Sequence, residues 1–346
     1  MIICYTTFMS SNTVKKTEYE KYLESIQNNI VTPDDVIQSV VKEAIGTDIF
    51  KKYRIIAGEV NEVYRIVLVN NQELILRISR TPYPNFQQEK WAIEQVKAIG
   101  VPAPTILFIK YITVNGKECS FCLMEKIDGE VLERGNINFG LLSLSEQQKY
   151  IQKAGNILSK IHSIKTKGFG YIIGDGKAQY ETSEALIDQW LSESNQFYNI
   201  AKSTDIPEKI ITSAIDLVSQ LEGIYTQISP CLNHSDYGNK HFIVKNKKIV
   251  AIIDWGSIRS DSAIYDFASW DYWYGNYIPT KWLMEGYIDK KIFDSSFEDI
   301  LHRIRIMKGI ETINWYTKQK YSKEVQNAKI KLINDIEYFK KLTSIR

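Results

Sequence analysis

Between Cys231 and Trp255 the chain gathers two histidines and two acids at close spacing. His234 and Asp236 flank a single residue, His241 follows five positions after Asp236, and Asp254 comes 13 positions beyond His241. A charged turn, Lys245 to Lys248, separates two apolar stretches, so the segment reads as a loop acid, a short hairpin and a second acid at the end of a strand. Taken singly, acids in turns commonly serve the turn itself. Together they form the set that phosphoryl transfer needs. One carboxylate orients a hydroxyl and accepts its proton, while other ligands hold a divalent cation on the phosphates.

Such a set needs elements to position it. Thr32-Pro33-Asp34-Asp35 predicts a helix start capped by Thr32, with the helix running to Ile45 and ending near Gly46. Strands are predicted over 53–56, 63–69 and 73–80, with an Asn70-Asn71 turn. A helix over 86–99 follows, then strands over 105–114 and 120–125 joined by Asn115-Gly116. Asp128-Gly129 breaks the pattern, and the remainder is mostly helical. Ser145 with Gln148 predicts a capping box, Ile210 to Ile228 carries a continuous apolar stripe, and a last helical block covers 296–342. The order is α+β: a small β-rich lobe with one key helix, then a larger helical lobe. Residues 1–30 read as an extension, polar from residue 10 on and forming a surface helix or arm.

Composition bounds the rest. The chain has 346 residues, 44% hydrophobic and 24% charged, with net charge +2. This excludes wholesale disorder and gives no basic field for nucleic acid. No apolar run is long enough for a membrane span, and residues 1–8 are too short and lack the basic leader of a signal peptide. Four cysteines make no disulfide scaffold. Cys119 and Cys122 lie in a strand-like run without a second pair, so buried structural thiols and a cytoplasmic home are expected. There is no G-x-x-x-x-G-K-[ST], which argues against a P-loop enzyme.

His234-x-Asp236, His241 and Ile253-Asp254-Trp255 resemble the H-G-D-(x)4-N and I-D-W or I-D-F pattern of the aminoglycoside phosphotransferase family, which is built like a protein kinase. The resemblance runs from about Tyr53 to Tyr287. It implies a two-lobed protein-kinase-like fold, with an N-lobe over 31–127, a hinge near 124–129 and a C-lobe over 128–346. By position, Asp236 resembles the catalytic base, His234 the brace of the catalytic loop, and Asp254 the acid that ligates Mg²⁺. Asp266, in Tyr265-Asp266-Phe267-Ala268, resembles the family acid that supports that loop. His241 stands where the family usually has a metal-binding Asn, as in the macrolide and 2''-aminoglycoside kinases. Magnesium prefers oxygen, so Asn239, two residues earlier, is the alternative ligand.

In the small lobe, Arg77 stands where kinases place the phosphate-gripping lysine, and Arg can hold phosphate oxygens bidentately. Glu89, 11 residues before Gly100-Val101-Pro102, resembles its ion-pair partner. On the surface such a pair would be worth at most about 1 kcal/mol. The loop around Gly58 would cover the phosphates, and Met124, Glu125, Lys126 and Ile127 resemble the hinge that meets the base of ATP or GTP.

For the acceptor, Gly168-Phe169-Gly170, Gln179-Tyr180 and Trp190 resemble hygromycin phosphotransferases. A polycation would want acids such as Asp261, Asp271 and Glu285. Trp270 and Trp273 belong to an aromatic stretch that is either a wall for sugar rings or a core helix. The resemblance therefore implies a monomeric or homodimeric kinase of a hydroxyl-bearing small molecule, with an aminoglycoside first. A macrolide kinase, a metabolite kinase of the choline, homoserine or sugar type, or a non-catalytic nucleotide-binding module are the rivals.

Overall fold

The computed structural model describes residues 17–345, apart from 57, 82–84 and 134–137. The start of the chain considered as a leader, residues 1–8, lies outside the described residues. In chain order the helices are α1 Glu18–Gln27, α2 Asp34–Ile45, α3 Phe86–Ala98, α4 Leu144–His162, α5 Ser183–Ser192, α6 Ser194–Ser203, α7 Glu208–Ser219, α8 Leu221–Tyr225, α9 Ile264–Tyr274, α10 Thr280–Gly286, α11 Phe297–Lys318 and α12 Ser322–Ile345. The strands are β1 Ile49–Ile55, β2 Glu62–Leu68, β3 Glu73–Ser79, β4 Ile106–Val114, β5 Lys117–Glu125, β6 Glu130–Val131, β7 Phe169–Gly174, β8 Lys177–Tyr180, β9 Cys231–Asn233, β10 Phe242–Lys245, β11 Lys248–Ile252 and β12 Arg259–Asp261. Among the described residues no helix is long and apolar enough to cross a membrane.

The described chain forms two compact units. One holds the residues up to Gln147 together with Asn239–Gly256; the other holds Gln148–Gly238 and the residues from Ser257 on. These units cross the chain-order division into 31–127 and 128–346, because β10 pairs with both β11 and β6. Gly129 permits that pairing. Its φ is 151°, and a Cβ there would meet Ile243 Cγ2 at 2.7 Å and the Val244 carbonyl at 2.9 Å.

In the first unit a five-stranded antiparallel sheet runs β1-β2-β3-β5-β4. Alternation along β2 and β3 sends Ile66, Leu68, Leu74 and Leu76 to one face, where Ile37, Val40 and Val41 of α2 cover them. The hairpin turns fall where expected, with Asn71 at φ 65° and Asn115 and Gly116 at 51° and 76°. Cys119, Cys122 and Cys231 are buried free thiols.

Four local expectations change. Thr32 does not cap α2. Its amide and hydroxyl donate to the buried Glu62 carboxylate (3.0 and 2.8 Å), which also accepts from Arg80 (2.8 Å), so a long-range polar cluster outcompetes the cap. The box at the start of α4 is Ser143 with Glu146, two residues early. The stripe from Ile210 to Ile228 is split between α7 and α8, and the last block into α11 and α12.

Residues 18–27 form more than a surface arm. The Gln27 side-chain amide donates to the Gly58 carbonyl at 2.6 Å and the Asn61 carbonyl at 3.1 Å. Tyr19 and Tyr22 hydroxyls donate to Glu59 at 3.1 and 3.4 Å. Arg54 ties the end of α1 to the sheet through the Gln27 and Ile30 carbonyls. Helix α1 thus straps the loop after β1. Gln27→Ala removes three side-chain bonds, each worth about 0.5–1.5 kcal/mol. It should lower thermal stability and speed amide exchange selectively in residues 58–61, measured by hydrogen exchange.

The second unit carries a four-stranded sheet, β8-β7-β12-β9, beside the helices. Helix α9 is buried along nearly its whole length, with Trp270 and Phe267 at 0% exposure.

Candidate active site

Each unit positions part of the residue set. In the first, β3 places Arg77 between Val63 of β2 and Cys122 of β5. Its guanidinium pairs with Glu89 on α3 and, through NH2, with Asp254 Oδ1 at 3.1 Å. Arg77 and Glu89 are 7% and 1% exposed, so this is a buried ion pair and not the surface pair that sequence spacing alone allows. Burial raises the Glu89 carboxyl above its ordinary value, with Arg77 pulling the other way. Burial would lower the Arg77 pKa, but Glu89 and Asp254 raise it further, so the cation is secure. Arg77→Met should therefore destabilise the fold by about 3–5 kcal/mol in denaturant unfolding, because it leaves Glu89 buried without a counter-ion.

Asp254 follows β11 in the left-handed region, φ 64°. An Asp tolerates that conformation better than most residues. Its side chain is 47% exposed, open to a ligand, and His241 Nε2 stands 3.3 Å from Oδ2. Burial of the carboxyl would raise its pKa, yet Arg77, the His241 hydrogen bond and Lys240 hold it well below the ordinary aspartate value. The carboxylate is ionised at any working pH. His241 closes the 3₁₀ turn Asn239–His241. The Asn239 side-chain oxygen is buried with no hydrogen-bond partner.

The Asp254 and Asn239 oxygens suit a hard divalent cation, whereas the His241 imidazole is a softer ligand. Adjacent ligands on an octahedral ion with bonds of about 2.0–2.1 Å stand about 3 Å apart, close to the observed Nε2–Oδ2 separation. A buried oxygen awaiting a partner lies two residues away.

At the predicted hinge, the Glu125 amide already donates to the Thr105 carbonyl at 3.0 Å, and the Lys126 ammonium pairs with Glu73 at 2.9 Å. Met124 is buried against the sheet. Gly58 sits under the α1 strap.

In the second unit the loop after β9 carries His234 and Asp236. Asp266, in the first turn of α9, is 0% exposed and organises that loop. It accepts from the His234 amide at 2.9 Å and the Ser235 amide at 2.6 Å. It also faces His162 Nε2 at 3.0 Å. A carboxylate only accepts, so Nε2 carries a proton, and Nδ1 stands 3.0 Å from the Tyr287 hydroxyl. Burial would raise the Asp266 pKa, but the bonds and charges of His162 and His234 hold it below the ordinary value. Ser269 Oγ donates to the Ser235 carbonyl at 2.7 Å, and Tyr237 ties the loop to the Ala154 carbonyl at 2.8 Å. Ser235 has φ 68°, which explains why glycine is the usual residue at its position in the H-G-D pattern. A Cβ on Gly238 would meet the Tyr274 hydroxyl at 2.2 Å. The loop is over-determined on every side, and His234 itself is fully buried.

The residues expected to line the acceptor site are mostly committed elsewhere. Asp261 is 1% exposed and bonded to Arg259 at 3.0 Å. Asp271 pairs with Arg305 and Thr280. Glu285 accepts from Gln148 and Gln152, both at 3.0 Å. Trp270 is a core residue with no surface to offer, at 0% exposure on the packed face of α9. Trp273 is half-buried, edge-on to Tyr272 and beneath the Lys331 ammonium. Sequence reasoning missed His162. Only the rarity of histidine, four in the chain, pointed to it.

A profile of the phosphotransferase enzyme family matches residues 52–283. Among solved structures, the apo form of a thermostable mutant of aminoglycoside phosphotransferase APH(4)-Ia superposes with TM-score 0.70 at 15% identity, over 87% of this chain and 98% of that one. A ternary complex of that phosphotransferase with ADP and hygromycin B gives the same values. The gentamicin complex of APH(2'')-IIa gives 0.59 at 14% identity, over 88% and 97%. No curated protein matches the chain. The structural likenesses establish the two-lobed α+β fold, and the profile covers more than half of the sequence. The chain belongs to the phosphotransferase enzyme family and is an enzyme that transfers a phosphoryl group to an alcohol.

Proposed function

We propose that this enzyme moves the γ-phosphoryl group of ATP or GTP to a hydroxyl of a small molecule. The observation that carries the reading is the rigid loop that presents Asp236, held by a fully buried Asp266 through two backbone amides. Asp236 accepts the proton of the attacking hydroxyl, and His234 and Asp266 brace it. Arg77 holds phosphate oxygens, with Glu89 fixing its direction. The loop around Gly58 lies over the phosphates, and the backbone of 124–127 meets the base. Asp254 and His241 would hold Mg²⁺, with the Asn239 oxygen as a further donor, and a divalent cation there would supply neutralisation of phosphate charge.

Aminoglycosides are the first acceptor class to test, given the hygromycin B and gentamicin complexes of the structural relatives. A metabolite alcohol is the second reading. It is favoured because Asp261, Asp271 and Glu285 already have protein partners and are not waiting for a polycation. The test is coupled nucleoside-diphosphate release with Mg²⁺-ATP and Mg²⁺-GTP against aminoglycosides, macrolides and metabolite alcohols. Stimulation by one class names the acceptor. Tight nucleotide binding with no stimulation by any class would favour a non-catalytic module.

A further inference from the structure

The strap of α1 ends on one buried side chain whose polar atoms are all committed. Gln27 is 1% exposed. Its Oε1 accepts from Arg54 NH2 at 2.9 Å, and its Nε2 donates to the Gly58 and Asn61 carbonyls. The orientation of the amide is unambiguous, because a guanidinium only donates and a carbonyl only accepts. Helix α1 delivers this residue by its own signals. Thr17 and Glu20 form a capping box at its start, and Leu23, one turn before Gln27, is buried.

The register of the sheet sets the side from which the loop is held. Tyr64 pairs with Arg54 on β1 and Leu76 on β3, and it joins Ile66 and Leu68 in the core beneath α2. Opposed residues share a face, so Arg54 lies on the α2 face and ties Gln27 there. Glu62, opposite the core residue Ile78, pairs with Arg54 on that same face at 3.6 Å. Val63 and Arg77, also opposed, lie on the other face.

Gln27 therefore takes the Gly58 carbonyl from the α2 face. A trans peptide is planar, with its N–H antiparallel to its C=O, so the Glu59 N–H points toward the face of Arg77. The Glu59 side chain is held as well, because its carboxylate accepts from the Tyr19 and Tyr22 hydroxyls. Burial raises the Tyr19 phenol, Glu59 adds to this and Lys240 opposes it, so the hydroxyl remains a donor at any working pH. With the carbonyl before it and its own side chain both bonded to α1, the Glu59 amide has little freedom to turn.

We propose that α1 is part of the nucleotide site, with Gln27 as a positioning residue that fixes the Gly58–Glu59 peptide so that the Glu59 N–H donates to a phosphate oxygen of the triphosphate held by Arg77. This deepens the phosphotransfer reading and rests on it. An oriented backbone N–H attracts a phosphate, and its bond to the anion is charge-assisted. The same peptide flipped would present its carbonyl, which repels.

The test is Gln27→Glu. The carboxylate keeps the shape of the amide and still accepts from Arg54, so α1 stays tied to the sheet, but it cannot donate to the Gly58 and Asn61 carbonyls. Calorimetric titration of the full chain compares Mg²⁺-ATP, Mg²⁺-GTP, adenosine and guanosine. The variant should bind the preferred triphosphate about tenfold or more weakly, the scale of one hydrogen bond to a charged group, and the matching nucleoside within about twofold of wild type. Hydrogen exchange adds a measurement that needs no variant. In wild type the triphosphate should slow exchange in residues 58–61, and the nucleoside should not. Equal triphosphate affinity in wild type and variant, a loss shared equally by triphosphate and nucleoside, or exchange in 58–61 indifferent to the triphosphate would overturn the proposal. Wild type that binds neither triphosphate would sink the nucleotide reading beneath it.

Discussion

Asp236→Asn is expected to lower acceptor-dependent phosphotransfer by about 10²–10⁴-fold, the usual contribution of a positioned general base. The amide has nearly the shape of the carboxylate but accepts no proton. The bonds from the His234 and Ser235 amides to Asp266, and from Ser269 to the Ser235 carbonyl, do not involve the changed group. Thermal stability and nucleotide affinity should therefore stay close to wild type, and the loss should appear in kcat. A variant that loses stability in proportion to activity would make Asp236 a structural residue.

Asp266→Ala should destabilise the protein by about 3–5 kcal/mol, read by denaturant unfolding. One carboxylate satisfies two backbone amides and the His162 ring at 0% exposure, and alanine leaves all three donors without an acceptor. The cost should depend on pH in a defined sense. The folded Asp266 pKa lies below the unfolded value of about 3.9. Its contribution is complete above that unfolded value and is lost as pH falls through the folded one. The difference between wild type and Asp266→Ala should be flat near neutrality and shrink on acidification. A difference that grows in acid would reverse the assignment.

Much of this site was legible because its signals are local. Asp236, His241 and Asp254 are linked by one hairpin, so spacing alone foretold that His241 and Asp254 would meet. The alternation of β3 put Arg77 on a definite face, and family resemblance supplied Glu89 as its partner. Helix α2, β2 and β3 were found within a few residues because their periodicities are clear. What failed depends on distant partners. Thr32 has the form of a cap, but Glu62, 30 residues away, claims it. Asp261 and Asp271 look like available acids until Arg259 and Arg305 are placed beside them. The aromatic run around Trp270 reads equally as wall or core, and only the packing of α9 decides for core at that residue. His162 stands 104 positions from Asp266, and nothing in its own helix announces the bond. The strap of α1 on residues 58–61 rests on one glutamine and two tyrosines in an otherwise ordinary polar helix.

The central claim is transfer of a phosphoryl group from a nucleoside triphosphate to an alcohol under Asp236. Its most direct test is mass spectrometry of acceptors incubated with the enzyme and Mg²⁺-ATP or Mg²⁺-GTP, run beside Asp236→Asn. The predicted result is one acceptor class gaining a single phosphoryl group with wild type, and little or none with the variant in the same time. Nucleotide consumption with no phosphorylated acceptor, or equal product from Asp236→Asn, would contradict it.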